Sequence, residues 1–211
     1  MTNSLLNLNQ IVSTARIKWH HYLLIFAVAV AIIIFRKPDL ISNPQFWAED
    51  GRVWFQDAYN IGLGAILNPS SGYLQTISRV TAAVAQLFPL RYAPLLFNLV
   101  AICIKALPVV FLFSPRFFRI IPKFSNKLIL AALYIFLPNT SEVYSNLTNT
   151  HTYLALLAFM IIIAKPSQKF FSKLFDYFFL ALSGLSGPFV IFRLFFIKIA
   201  NATGCKFLAF Y

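Results

Sequence analysis

The stretch LQTISRVTAAVAQLFPL, residues 74–90, decides how the rest of this chain is arranged. Its length and apolar content would allow a membrane span. Its pattern argues otherwise. Leu74, Ile77, Val80, Val84, Leu87 and Phe88 recur at helical spacing, while Gln75, Ser78, Arg79 and Gln86 fall on other faces. Such a helix lies on a membrane surface with its apolar side down. Read as a span, it would reverse the sidedness of everything that follows it.

The bilayer itself is inferred from composition. Mean hydropathy is +0.73, only 11% of the residues are charged, and 24 of the 211 are phenylalanine. A water-soluble domain of this size carries a far more charged surface. Apolar runs cover residues 19–35, 92–113, 128–138, 148–164 and 174–197. Such runs cross lipid as helices, because lipid offers the backbone no partner but itself. The expected fold is an all-α integral membrane protein, one membrane domain over residues 1–211. It has about five transmembrane helices, with an outer loop over 36–90 that contains the juxtamembrane amphipathic helix 74–90. The runs 128–138 and 148–164 are short against the ~20 residues of a span, so they tilt or extend into the polar stretch between them. Arg16 and Lys18 precede the first run, as in a signal peptide, but no small-residue cleavage site follows Phe35. An uncleaved signal-anchor helix is expected. No internal repeat is visible.

A net charge of +12 does not imply a nucleic-acid partner here, because the basic residues lie in short clusters between apolar runs. If 74–90 stays on the outer surface, Arg16 and Lys18, Arg116–Lys127 and Lys165–Lys173 all fall on the cytoplasmic side with the N-terminus. Five of the six acids, Asp39, Glu49, Asp50, Asp57 and Glu142, then fall outside, and Asp176 inside.

Three of those acids crowd into FWAEDGRVWFQDAYN, residues 46–60. Clustered carboxylates at a membrane surface supply a general base, a metal ligand, or charges that orient a cation. Consecutive Glu49 and Asp50 diverge by about 100° on a helix, so one acts while the other holds the loop. Asp57, two turns on, shares the face of Asp50, and Gly51 lets the backbone bend. The competing reading makes Glu49 or Asp50 an N-cap for the helix that follows. Arg52 and Arg79 are the outer cations nearest in sequence, and Arg91 opens the second span; each serves a substrate anion or snorkels at the interface. Mid-span Lys105 is expected to snorkel about 12 Å to the cytoplasmic interface. The second outer loop, PNTSEVYSNLTNTHTY (residues 138–153), offers Glu142, Asn146, Asn149 and His151 as hydroxyl-binding groups or as plain helix caps. Asn146-Leu147-Thr148 matches a glycosylation pattern only weakly, and His151 has no metal-ligating companions. Cys103 and Cys205 fit neither a disulfide framework nor a metal site. GLSGPF, residues 184–189, reads as close helix packing or a kink.

A first span, an outer loop with an acidic motif, then NPSSGYLQTISRVTAAVAQLFPL and a second span ending in basic residues together resemble the GT-C class of membrane glycosyltransferases. The WAEDG form looks like uncharacterised bacterial members of that class. The resemblance implies transfer of a sugar from a polyprenyl-phosphate carrier to an acceptor on the extracytoplasmic face of a bacterial inner membrane. It puts Asp50 in the place of the catalytic carboxylate, with Glu49 as its rival. Asp57, Arg52, Tyr73, Arg79, Glu142, Asn146 and His151 become candidate substrate-binding residues, and divalent-metal use is left open. Members usually have eight or more spans against about five here, so an N-terminal portion is expected. The tail after Arg193 and Lys198, NATGCKFLAFY, offers no further helix. A transporter or flippase for lipid-linked sugar is the alternative, although it would place charges within its spans and often show repeats. An inactive remnant is another.

The orientation is checked with single cysteines at Ser42 and Ser125 in a background lacking Cys103 and Cys205. An impermeant thiol reagent is expected to label position 42 but not 125 in intact cells. The reverse pattern would overturn the assignment of sides.

Overall fold

The computed structural model describes residues 18–138 and 142–187. Those residues are all-helical, with no strand beyond one isolated bridge between Ser70 and Tyr73. Five longer helices run between two ends of the molecule: α1 (Trp19–Arg36), α5 (Ala93–Leu112), α6 (Phe124–Phe136), α7 (Thr150–Ile163) and α8 (Phe170–Ser186). Between α1 and α5 lie three shorter ones, α2 (Asp39–Ser42), α3 (Gln56–Ile61) and α4 (Thr76–Ala85). A π-helical turn, Asp50–Phe55, runs directly into α3.

Two helical segments, Trp19–Arg36 and Leu90–Leu112, are long and apolar enough to cross a membrane by length and composition. α6 and α7 hold 13 and 14 residues, or about 20 Å of rise against a ~30 Å hydrocarbon layer. α8 follows the fifth apolar run only as far as Ser186. The remainder of that run, to 197, lies outside the described residues, as do Pro188 and Phe189 of the GLSGPF stretch.

Cross-helix bonds fix the order of the bundle. Asn98 Nδ2 donates to Leu40 O at 3.0 Å, joining the start of α5 to the far end of α1. The Arg36 guanidinium donates to Ile135 O and Leu137 O, bringing the end of α6 to the same level. At the opposite end Lys165 N donates to Arg116 O at 3.2 Å, and Lys127 Nζ lies 3.4 Å from Ser114 O. The long helices therefore alternate in direction along the chain. Small residues sit where they pack: Ala29, Ala101, Ala106, Ala131 and Ala164 are all buried, which lets backbones approach closely. Ile33, Ile102, Leu157 and Ile161 fill the centre.

Outward, the bundle is apolar. Leu23, Leu24 and Val28 of α1, Leu128, Ile129, Leu133 and Phe136 of α6, and Phe171, Leu174 and Phe178 of α8 are exposed. The segment 74–90 does form a helix, but a shorter one. The ten residues of α4 rise about 15 Å. Ser78, Arg79 and Thr81 on α4 face the protein, while Val80 and Val84, and Leu87 and Phe88 just beyond it, face out.

Lys105 departs from expectation. Instead of reaching for the basic end, its side chain is buried at 3% exposure. Nζ lies 3.3 Å from the Tyr153 hydroxyl and 3.6 Å from the centroid of the Tyr144 ring. Arg36 stacks on the same Tyr144 ring at 4.8 Å. The negative faces of the rings solvate the ammonium where no carboxylate does; among the described residues the only ion pairs are Arg79–Asp57 and Arg116–Asp176. The physical reason is direction. Tyr144 stands on the loop at the acidic end and Tyr153 on the first turn of α7, and α5 turns Lys105 toward them.

A buried ammonium without an acid pays desolvation that ring contacts offset only in part. Lys105→Met is therefore expected to leave the thermal midpoint of the detergent-solubilised protein unchanged or raised. Tyr144→Ala, which empties the space between Lys105 and Arg36, is expected to cost about 3 kcal/mol. A loss in Lys105→Met as large as that in Tyr144→Ala would show that the charge itself is stabilising.

Candidate functional site

The acidic stretch folds against the second loop. Asp50 is fully buried, and its carboxylate accepts three hydrogen bonds from residues almost a hundred positions away. Thr148 N donates to Oδ1 at 2.8 Å, Thr148 Oγ1 to the same oxygen at 2.7 Å, and Leu147 N to Oδ2 at 3.2 Å. Those amides sit in the turn that leads into α7, since Thr150 N donates to Leu147 O. Glu49 and Asp50 do not cap the helix that follows them, for no side chain caps the π-helical turn. Asp50 instead satisfies backbone donors at the entry to a different helix.

One turn on, Trp54 is buried and donates Nε1–H to Thr148 Oγ1 at 2.8 Å. The Arg79 guanidinium lies over the Trp54 ring, 4.8 Å from its centroid. Arg79 Nη1 reaches Asp57 Oδ2 at 2.5 Å. Asp50 and Trp54, four residues apart, meet the same Thr148 hydroxyl, and Asp57 joins them through Arg79. Asn68 Nδ2 approaches Asp57 Oδ2 at 3.5 Å. Arg79 is 1% exposed and its Nε–H has no acceptor, a buried donor left over in an otherwise bonded cluster.

Gly51 serves space rather than bending. Its φ is not positive, and a Cβ there would lie 3.2 Å from Phe46 Cβ. Ser71, Gly72 and Gln75 take left-handed backbone around the tight turn that carries Tyr73. The Tyr73 and His151 rings stand 6.5 Å apart by centroid, and His151 Nδ1 lies 2.8 Å from Thr148 O.

Of the residues singled out in the sequence, Asp50, Asp57, Tyr73, Arg79 and His151 come together. Glu49 is half-buried beside Asp50. Arg52 is exposed. Glu142 is exposed, and its carbonyl oxygen accepts from the side chains of Asn146 and Asn149. Asn146 is buried, with Oδ1 accepting from Asn149 N at 2.9 Å, so its amide shapes the turn. A glycan acceptor needs a surface asparagine. Trp54, Leu147 and Thr148 were missed. For Trp54 the i, i+4 relation to Asp50 was the available signal; for the other two the sequence held none.

Burial pushes the Asp50 carboxyl up to about 6, against the opposing hydrogen bonds from Thr148, Leu147 and Trp47. Among the described residues no three His, Cys, Asp or Glu side chains converge as metal ligands; no step is routed through a metal. No protein-family model, curated protein or solved structure matches the chain. The site therefore has to be read from its own chemistry.

A carboxyl whose folded value lies above its unfolded one binds more protons when native, so its contribution favours folding below about pH 4. That contribution is lost as pH rises through about 6. Two units correspond to ~3 kcal/mol. Chemical unfolding is expected to show stability falling between about pH 4 and 6, with a flatter slope in Asp50→Asn. Equal slopes in the two proteins would mean that Asp50 titrates normally.

Proposed function

We propose that this chain is a bilayer-embedded glycosyltransferase of the GT-C type, or a portion of one, acting on a sugar carried by polyprenyl phosphate at the extracytoplasmic face. The observation that carries the reading is the convergence of the WAEDG segment, Arg79 and the second loop at one end of the bundle, opposite the basic loops. The apolar outer surface of α1, α6 and α8 supports the bilayer, because a patch of that extent is a liability in water. With the basic loops inside, the acidic end faces out and the N-terminus is cytoplasmic. α4 then lies at the outer interface, its apolar edge in lipid and its polar edge in the site.

Roles divide by exposure. Asp50 has both oxygens engaged and no open surface, so it sets the position of the second loop. Glu49, next to it and half-buried, is the carboxylate with access to an acceptor hydroxyl, and takes the part of general base. Asp57 is tied to Arg79 with 29% of its side chain exposed. Arg79, 1% exposed, is closed off like Asp50 and holds Asp57 in place, so the cation open to a departing phosphate is exposed Arg52. Tyr73 and His151 flank the same opening as hydroxyl-binding groups.

The flippase alternative predicts binding of a lipid-linked sugar without bond cleavage. The deciding assay is transfer from a polyprenyl-phosphate-sugar donor in membranes carrying the full reading frame. Glu49→Gln is expected to lower the rate by ~10²–10⁴ with normal accumulation of the protein. Asp50→Asn is expected to lower stability as well, because its amide NH₂ would oppose a backbone N–H donor. If Glu49→Gln transfers normally and only Asp50→Asn is dead in folded protein, the base is Asp50. If both transfer normally, the acids are structural and neither is the base; binding of the donor by the unaltered protein without any transfer would overturn the enzyme reading.

A further inference from the structure

The opposite end of the bundle holds a second feature, unrelated to the acidic site. A cleft of about 960 Å³ opens where the start of α1, the end of α5 and the start of α8 meet. Its polar lining includes Lys18, Arg116 and Lys169 with Ser114, and its apolar wall includes Val110 and Phe171. Arg116 is already engaged, with Nη1 2.7 Å from Asp176 Oδ1 and Nε donating to Lys165 O. Neither Lys18 nor Lys169 forms an ion pair among the described residues. Ser114 is 7% exposed, and its hydroxyl has no hydrogen-bond partner.

The chain has no acid left to balance these lysines. Asp176 is spent on Arg116, and the other five acids belong to segments at the far end. Residues 1–17 and 188–211 contain no Asp or Glu. An anion from outside would be matched by these lysines if it tolerates an apolar wall.

We propose that this cleft binds the headgroup phosphate of an anionic phospholipid from the cytoplasmic leaflet. Lys18 and Lys169 hold its charge, the Ser114 hydroxyl donates to a phosphate oxygen, and an acyl chain lies along Val110 and Phe171. Two cations and an orphaned hydroxyl suit a phosphodiester, and the volume suits a headgroup with the first part of its chains. The proposal rests on the bilayer reading of the helices and not on glycosyl transfer.

The test uses the full chain. Membranes are first washed with alkaline carbonate; release of the wild-type protein would overturn the bilayer reading, and the lipid site with it. Retained protein is purified in neutral detergent and titrated with phosphatidylglycerol or phosphatidylcholine, read by native mass spectrometry and thermal midpoint. Phosphatidylglycerol is expected to stay bound and to raise the midpoint, phosphatidylcholine and inorganic phosphate much less. Each lysine near a lipid phosphate is worth about a fivefold change in affinity. The Lys18→Gln, Lys169→Gln double variant should then bind phosphatidylglycerol roughly 25-fold more weakly. It should keep its midpoint in phosphatidylcholine, and Lys→Arg at both positions should restore binding. Ser114→Ala should weaken binding further without changing that midpoint. Unchanged phosphatidylglycerol affinity in the double variant overturns the site, and equal protection by inorganic phosphate reduces it to a free-anion site.

Discussion

One carboxylate holds the acidic end together. Asp50 comes from the first connection, and its three donors come from the turn before α7. An ionised carboxylate taken fully out of water costs several kcal/mol, and only close, well-directed donors offset that. Here two backbone amides and a hydroxyl, at 2.7–3.2 Å, offset it only in part, since burial still raises the carboxyl to about 6. The dependence runs both ways. Without Asp50 the Leu147 and Thr148 amides would sit unpaired at a buried helix entry; without that turn the acid would be a bare buried charge. Trp54 joins the same hydroxyl, and through its ring face and Asp57 it fixes Arg79. The first loop, the second loop and α4 are therefore oriented by a single connected set of polar contacts.

Scarcity of acids shapes the remainder. With six carboxylates for eighteen lysines and arginines, most cations must be stabilised in some other way. Arg36 uses backbone carbonyls at the end of α6 and the Tyr144 ring. Lys105 uses a tyrosine hydroxyl and the same ring, and Lys127 lies near the Ser114 carbonyl. Aromatic faces and carbonyl oxygens are the only abundant electron-rich groups in a chain that is 17% aromatic and 11% charged. Tyr144 therefore matters beyond its volume, since it stands between two cations and also donates to Ile33 O at 2.9 Å.

The helical class and the separation of basic and acidic ends were legible in the sequence, because each follows from local spacing or from composition. The helix within 74–90 was legible in its outward Val80 and Val84, whereas Ile77, read onto the same stripe, packs against the core. What stayed hidden depends on long-range partners. Nothing about Asp50 announces that Thr148 will bond it, and nothing about Lys105 says that its rotamer turns toward Tyr144 and Tyr153, about forty residues or more away in sequence. Gly51 was read as a flexible joint because glycine usually marks one. Here the controlling fact is the Phe46 ring, visible only in three dimensions. Asn146 was read as a ligand group, yet its amide is consumed by the turn it makes. Polar residues in short loops are first spent on the loop's own backbone, and sequence does not show how many remain.

The orientation of α4 joins the two halves of the reading. In water a surface helix hides its apolar stripe and shows its polar one. α4 does the reverse, with Ser78, Arg79 and Thr81 turned inward and Val80 and Val84 outward. The inward turn is dictated by the site, because Arg79 must reach Asp57 and Trp54, and Ser78 lies within 3.4 Å of Leu147 O. The outward apolar edge is then unavoidable, since the two stripes belong to one helix. Only a surrounding that accepts Val80, Val84, Leu87 and Phe88 makes this arrangement inexpensive, and the hydrocarbon edge of a bilayer is such a surrounding. Under the proposed function that coupling has a use. A donor carried on a polyprenyl chain would travel in the lipid that bathes the outer edge of α4, while Arg79 on the inner edge keeps Asp57 and Trp54 in position beside it.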